Sequence, residues 1–184
     1  RTHSGNIKSL LDLHKEALLS DADTMTNIQI VSDELFSTIE NLNDLVNIYT
    51  EKENNMQPLE VNSFIDKVLD VLNESIKLKN IQVLNYVPSS VKVLCIPAYL
   101  ESIMLNLVTN AIKYSSGESI TTVSVKKFKG DASVEVKDNG RGISNEDLNN
   151  IFEPFKRVIS FEDKRIEGTG LGLAITKRLI EELG

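Results

Sequence analysis

Asn106, Asn110 and Lys113 stand at i, i+4 and i+7 in a run with helical periodicity, so two carboxamides and an ammonium share one helix face. Placing three such groups on an otherwise apolar helix costs free energy unless they find partners. A carboxamide oxygen can ligate Mg²⁺, and a lysine can neutralise phosphate oxygens. A solvated helix face would contain the same residue types. A second cluster, Asp138-Asn139-Gly140-Arg141-Gly142-Ile143, follows a run with strand character. Two glycines two apart let the backbone turn sharply and come close to a ligand. Asp138 can accept hydrogen bonds from an exocyclic amine such as that of adenine. An ordinary turn after a strand has the same composition. The third cluster, Gly168-Thr169-Gly170-Leu171-Gly172-Leu173, opens a helix, where backbone N–H groups and the helix dipole suit an anion. It lacks the spacer and the Lys-Ser/Thr ending of a Walker loop, and its Gly-x-Gly-x-Gly spacing with no clear strand ahead is not a dinucleotide fingerprint.

Between the glycine clusters lie Ile151-Phe152-Glu153-Pro154-Phe155-Lys156-Arg157 and a polar stretch ending in Lys164-Arg165. That stretch suits a mobile lid, with at least one of Phe152 and Phe155 in the core. The elements that must position these groups follow from periodicity. Pro97 suits the first turn of a helix running to about Tyr114. Thr121–Phe128 and Ala132–Lys137, around Lys129-Gly130-Asp131, predict a β-hairpin ending at Asp138. Ile81–Tyr86 and Val91–Cys95 are strand-like, joined by Pro88-Ser89-Ser90. Asn62 is placed to cap a helix carrying Phe64, Ile65, Val68, Leu69 and Leu72. A short helix is expected near Glu146–Phe152 and a final one from about Leu171.

The N-terminal part has a different construction. Ile7, Leu10, Leu11, His14 and Leu18 form one helical stripe. Ser20-Asp21-Ala22-Asp23-Thr24 should break that run, and Ile28, Leu35, Leu42 and Tyr49 then recur by sevens beside Val31, Ile39, Leu45 and Val46. Two helices with one seam cannot bury it alone, so a homodimeric four-helix bundle is the economical expectation; packing on the chain's own C-terminal part is the alternative. The expected organisation is α+β: a helical hairpin over 1–50, a polar linker over 51–58, and a mixed domain over 59–184 forming an α/β sandwich.

Composition removes other classes. Of 184 residues 41% are hydrophobic and 26% charged, which fits a globular chain rather than a disordered one. The net charge of −7 and the absence of Trp argue against a nucleic-acid surface. Residues 1–57 carry four basic against ten acidic side chains, and 58–184 carry 16 against 17, which marks the two parts as different. One cysteine, Cys95, and two histidines, His3 and His14, make neither a disulfide nor a histidine- or cysteine-rich metal site, and suit a reducing cytoplasm. No apolar stretch approaches a spanning helix, so membrane attachment is expected only through regions outside this chain.

Taken together, the clusters resemble the motifs of sensor histidine kinases. Asn106, Asn110 and Lys113-Tyr114 look like their N-box, Asp138-x-Gly140-x-Gly142 their first glycine box, Phe152-Glu153-Pro154-Phe155 their F-box and Gly168–Leu173 their second glycine box. Arg1-Thr2 before an amphipathic helix resembles the end of an H-box in a dimerization and histidine-phosphotransfer hairpin. The resemblance implies ATP and Mg²⁺ as cofactors, with Asn110 on the metal, Asn106 and Lys113 near the phosphates and Tyr114 beside the nucleotide. Asp138 would take the adenine amine, and Gly140, Gly142 and Ile143 would shape that pocket. Gly168, Thr169, Gly170, Leu171, Gly172 and Leu173 would hold the lid base on the phosphates, which Arg157, Lys164 or Arg165 could reach. It further implies γ-phosphoryl transfer to a histidine three residues before Arg1, then to an aspartate of a response regulator receiver domain. His3 is not the acceptor by that pattern, and this chain by itself is expected not to autophosphorylate. Thr2 would fall where the family often places a residue used in dephosphorylating the regulator. Ile96 stands where many members have Asp. Hydrolytic ATPases of the same superfamily usually place Glu at the position of Asn106; an amide cannot accept a proton from water, which favours transfer. A non-catalytic dimerization module is the third expectation, against which the intact Asn110, Asp138 and glycines count.

Overall fold

The computed structural model describes residues 3–15, 20–28, 31–32, 35, 39, 46, 56–115, 119–128, 131–156 and 169–184. Helix α1 covers His3–Lys15, and a second helical stretch occupies 21–28. The break between them is chemically specified. Ser20 Oγ accepts from the Asp23 backbone N–H at 3.1 Å and donates to Asp23 Oδ2 at 2.6 Å, an N-cap closed by an acidic side chain three residues on. His14 spans the break, with Nδ1 3.2 Å from Thr24 Oγ1 and Nε2 3.6 Å from Asp21 Oδ1. Of the expected seam, Val31 is buried, whereas Leu11, Leu35, Ile39 and Val46 are exposed. Leu18, Leu42, Leu45 and Tyr49 lie outside the described residues, as does 51–55 of the expected linker.

The mixed domain begins earlier than its sequence suggests. Gln57 and Pro58, expected in the linker, open strand β1 (Gln57–Glu60). There follow α2 (Val61–Val71), α3 (Asn73–Leu78), β2 (Gln82–Asn85), β3 (Lys92–Cys95), α4 (Pro97–Tyr114), β4 (Ile120–Phe128), β5 (Asp131–Lys137) and α5 (Gly172–Leu183). β1 pairs antiparallel with β3. In the second sheet, ordered β2-β4-β5, β2 runs parallel to β4 and β4 antiparallel to β5, as the hairpin pattern predicts. The two strand-like runs at 81–95 therefore belong to separate sheets. Helices α2 and α5 both pack on α4, and α4 touches β5. Ile65 and Val68 of α2, Met104, Val108 and Ile112 of α4, Ile175 and Leu179 of α5 and Val123 of β4 join in one core. This mixed helix-and-sheet architecture is the expected α+β class.

Two local expectations are corrected. Asn62 does not cap α2: the helix begins one residue before it, with Glu60 at the N-cap, and the Val61 N–H donates to the Val91 carbonyl at 3.2 Å. Asn62 instead accepts from Asn85 Nδ2 at 2.8 Å and donates to Asp66 Oδ2 at 3.0 Å, tying α2 to the end of β2. Residues 145–152 form turns rather than a helix. Ser144 Oγ accepts from the Asp147 N–H at 3.1 Å, but the bonds beyond it run Asn150→Asp147 and Glu153→Asn150, three residues back, so no α-helix propagates. Ile96 supplies no cap either; it is buried at the N-cap of α4, with its carbonyl accepting from the Leu100 N–H at 3.1 Å. Cys95 beside it is buried, and burial pushes its thiol pKa up.

Lys79, just past α3, holds the far end of α4. Its Nζ donates to the Ile112 carbonyl at 3.0 Å and the Lys113 carbonyl at 2.6 Å, where the helix dipole is negative. Burial lowers the Lys79 pKa below the usual lysine range. Lys79→Met should cost about 1 kcal/mol and lower the thermal midpoint by a few degrees. Differential scanning calorimetry would check this, and an unchanged midpoint would show that the contact contributes nothing.

Candidate functional site

The site is organised along α4, whose inner face is apolar and whose flank carries the amides. Tyr99, Leu100, Ile103, Met104, Val108, Ala111 and Ile112 are buried, while Asn106, Asn110, Lys113 and Tyr114 are half-buried. Residues 106, 110 and 114 rise along one side of the helix at i, i+4 and i+8. That span is about 12 Å at 1.5 Å per residue, on the scale of an extended nucleoside triphosphate.

Each end of this span meets one of the glycine turns. At the C-terminal end, a Cβ on Gly140 would lie 2.5 Å from the Tyr114 carbonyl oxygen and 2.8 Å from Asp138 Oδ1, so only glycine allows the turn to seat against the helix. Asp138 Oδ1 accepts from the Gly140 N–H at 2.8 Å, which shapes the turn and leaves the rest of the exposed carboxylate available. Asn139 Oδ1 accepts from the Ile120 N–H at 3.1 Å, fastening the turn to the start of β4. The Tyr114 ring is flanked by two cations, Arg141 at 5.1 Å and Lys113 at 5.7 Å from its centroid.

At the other end, a Cβ on Gly172 would come 2.9 Å from Asn106 Oδ1. Asn106 Nδ2 turns back to Ser102 Oγ at 3.5 Å, the long limit of a hydrogen bond. The N-terminus of α5 thus rests on the amide face of α4. Thr169 Oγ1 accepts from the Leu171 N–H at 3.2 Å, and Leu171 is buried as the residue preceding the helix. Gly170 has a positive φ of 71°, and its carbonyl accepts from the Phe155 N–H at 3.0 Å. This bond clasps the Phe152–Phe155 segment to the glycine turn.

The aromatic pair departs from expectation, since neither ring is in the core. Phe152 is 42% and Phe155 75% exposed. Phe155 sits at φ +64°, a conformation a bulky residue adopts only where its surroundings impose it, here the bond to Gly170. Phe152 faces Lys177 Nζ at 5.9 Å from its ring centroid. Ile143 is also exposed, Gly142 stands on the turn after β5, and Leu173 lies in the first turn of α5. Thr2, Arg157, Lys164, Arg165 and Gly168 lie outside the described residues.

Sequence reasoning missed Lys79, the Arg141–Tyr114 stack, the Ser102 contact and the Phe155–Gly170 clasp. Only Ser102, four residues before Asn106, left a local signal. Among the described residues no cluster of three His, Cys, Asp or Glu could hold a metal. The half-buried Asn110 carboxamide has no hydrogen bond among them, so its oxygen fits the single-ligand mode in which Mg²⁺ is otherwise held by phosphates and water.

Two glycine turns are thus seated on one amide-bearing helix. Residues 96–184 match the family of histidine kinase-, DNA gyrase B- and HSP90-like ATPases. The curated relatives that the chain matches include sensor kinases. The sensor-like histidine kinase SenX3 of Mycobacterium bovis is 28% identical over 172 residues, covering 89% of this chain and 42% of that protein. The chain therefore spans less than half of that relative. Histidine kinase AdeS of Acinetobacter baumannii shares the fold with a TM-score of 0.72 at 21% identity, over 99% of this chain and 85% of the solved chain. Histidine kinase ThkA, solved in complex with the response regulator protein TrrA, matches at a TM-score of 0.69 and 19% identity, over 91% of this chain and 52% of that one. Among the described residues no helix is long and apolar enough to cross a membrane.

Proposed function

We propose that this chain is the catalytic core of a two-component sensor histidine kinase that binds Mg-ATP and passes the γ-phosphoryl to a histidine preceding Arg1. The observation that carries the reading is the seating of both glycine turns on α4, Gly140 against Tyr114 and Gly172 against Asn106. The adenine amine meets Asp138, Tyr114 lies beside the nucleotide, and Lys113 neutralises phosphate charge. The α5 N-terminus, with Gly168 through Leu173, anchors the phosphate end. Arg157, Lys164 or Arg165 reaches the γ-phosphate from the lid. Asn110 holds Mg²⁺, which when bound neutralises charge on the polyphosphate. Positioning and charge neutralisation supply most of the catalysis in phosphoryl transfer. Asn106, an amide, accepts no proton from water, which favours transfer over hydrolysis.

The exposed seam residues Leu35, Ile39 and Val46 support a homodimer through the hairpin, since a helical stripe left in water gains most by packing on a second copy. The phosphoryl group then passes to an aspartate of a response regulator receiver domain, the class of partner solved with ThkA. Thr2 serves dephosphorylation of the regulator, in which water takes the phosphoryl group from the aspartate, and the reaction takes place in the cytoplasm.

Calorimetric titration of this chain with ATP should show binding that Mg²⁺ strengthens. The full-length protein given γ-labelled ATP should acquire an acid-labile, base-stable phosphoryl group. Release of phosphate without protein labelling would favour a hydrolytic ATPase, and label on this 184-residue chain itself would return the acceptor role to His3 or His14.

A further inference from the structure

We propose that Lys79 is a positioning residue for the nucleotide site: it fixes the end of α4 on which the Asp138–Gly142 turn is seated, and so sets where that turn stands. This rests on the nucleotide reading above. Lys79 itself lies outside the site, between α3 and β2, 33 and 34 positions along the chain from the two carbonyls it meets.

A helix leaves its last carbonyls without intrahelical partners. At the end of α4 three of them, on Ile112, Lys113 and Tyr114, are divided between two distant parts of the chain. Lys79 Nζ donates to the first two at 3.0 and 2.6 Å. The third forms the seat of Gly140, where a Cβ would lie 2.5 Å from the oxygen. The local chain supplies no substitute for the lysine: Ser115 at the C-cap turns away in an extended conformation, and its buried Oγ has no hydrogen-bond partner among the described residues. The carbonyl that carries the turn therefore follows directly on the two that the ammonium holds.

A long side chain positions another group only if its own origin is fixed. Lys79 is the C-cap of α3, and its N–H donates to the Ser75 carbonyl at 3.2 Å. The next two N–H groups fold back as well, Asn80 to Lys77 at 3.0 Å and Ile81 to Ile76 at 3.1 Å, with Asn80 at φ 52°. This is a Schellman closure with asparagine in the left-handed position. Ile81 is buried, and the chain then enters β2, where the Gln82 N–H donates to the Ser119 carbonyl at 2.9 Å. β2 pairs with β4, β4 pairs with β5, and β5 leads into Asp138. The lysine thus ties the end of α4 to the same sheet from which the turn emerges, so that the turn and its seat share one frame.

A lysine that only stabilised the fold would lower the melting midpoint and leave the ATP affinity of the folded chain unchanged. Calorimetric titration with Mg-ATP, well below the melting midpoint of every variant, separates the two roles. Lys79→Met should weaken ATP binding about tenfold. Lys79→Arg, which keeps a cationic donor for the carbonyls, should stay within about twofold of the wild type. In the Asp138→Asn background Lys79→Met should cost less than about twofold, because the carboxylate it positions is already gone. Lys79→Gln carries the same comparisons should Lys79→Met not stay folded. Wild-type affinity in the uncharged variant would overturn the proposal, as would an equal loss in Lys79→Arg or an undiminished loss in the Asp138→Asn background. Failure of the wild-type chain to bind ATP, or wild-type affinity in Asp138→Asn, would overturn the underlying site reading and this proposal together. Normal binding by the wild type and a loss in Asp138→Asn, with Lys79→Met unaffected, would overturn this one alone.

Discussion

Asp138→Asn should weaken ATP binding on the order of 10- to 100-fold while leaving the fold intact. The carboxylate is exposed, so removing its charge costs the core nothing. The remaining amide oxygen can still accept from the Gly140 N–H, the 2.8 Å bond that shapes the turn. On the proposed reading, what is lost is a charged acceptor for the adenine amine, and hydrogen bonds to charged groups contribute about 1.5–3 kcal/mol. Titration calorimetry with ATP gives the affinity, and a melting curve without nucleotide gives the control. Undiminished affinity would remove Asp138 from the base pocket.

The second large effect is expected at Gly140. An alanine there would place its Cβ 2.5 Å from the Tyr114 carbonyl oxygen and 3.0 Å from the carbonyl carbon. These are backbone atoms at the end of a helix whose neighbouring carbonyls Lys79 already holds, so they cannot swing aside as a side chain would. The turn must lift off α4. Overpacking of this kind costs about 1–3 kcal/mol, and the shortness of the contact places Gly140→Ala at the upper end. The melting temperature should fall by roughly 5–10 °C. ATP affinity should fall as well, because Asp138 is displaced with the turn. A variant that melts and binds like the wild type would show that the turn is not seated on the helix in solution. Gly172→Ala is a milder case, since the group it meets is the Asn106 side chain, which can rotate.

The candidate site was legible in the sequence to the extent that its parts are local. The amides of α4 are three or four residues apart, so helical periodicity alone puts Asn106, Asn110 and Lys113 on one face. The turn at Asp138–Gly142 and the start of α5 near Leu171 follow from glycine spacing and the change of hydrophobic period. The hairpin β4–β5 and the helix from Pro97 to Tyr114 were readable for the same reason. Errors arose where a distant partner overrode a local preference. Asn62 looks like a cap, but Asn85 and Asp66 compete for its side chain, and the Val91 carbonyl meets the helix's first free N–H. Phe152 and Phe155 look like core residues, yet the bond from Phe155 to Gly170 holds that segment at the surface. Ser144 begins a turn with a good cap, but three-residue bonds replace the helix that its sequence suggests.

By itself the sequence singled out the candidate side chains and most of the elements that present them, because capping, turn formation and periodicity act over a few residues. The tertiary structure alone decided that β2 runs parallel to β4 across the intervening α4, that Lys79 closes the end of a helix more than thirty residues away, and that two glycine turns flank one amide face. These arrangements depend on close backbone approach and on how α2 and α5 share the surface of α4. Such contacts are selected by packing density and by the need to pair buried polar groups, and neither is encoded in any short stretch of the chain.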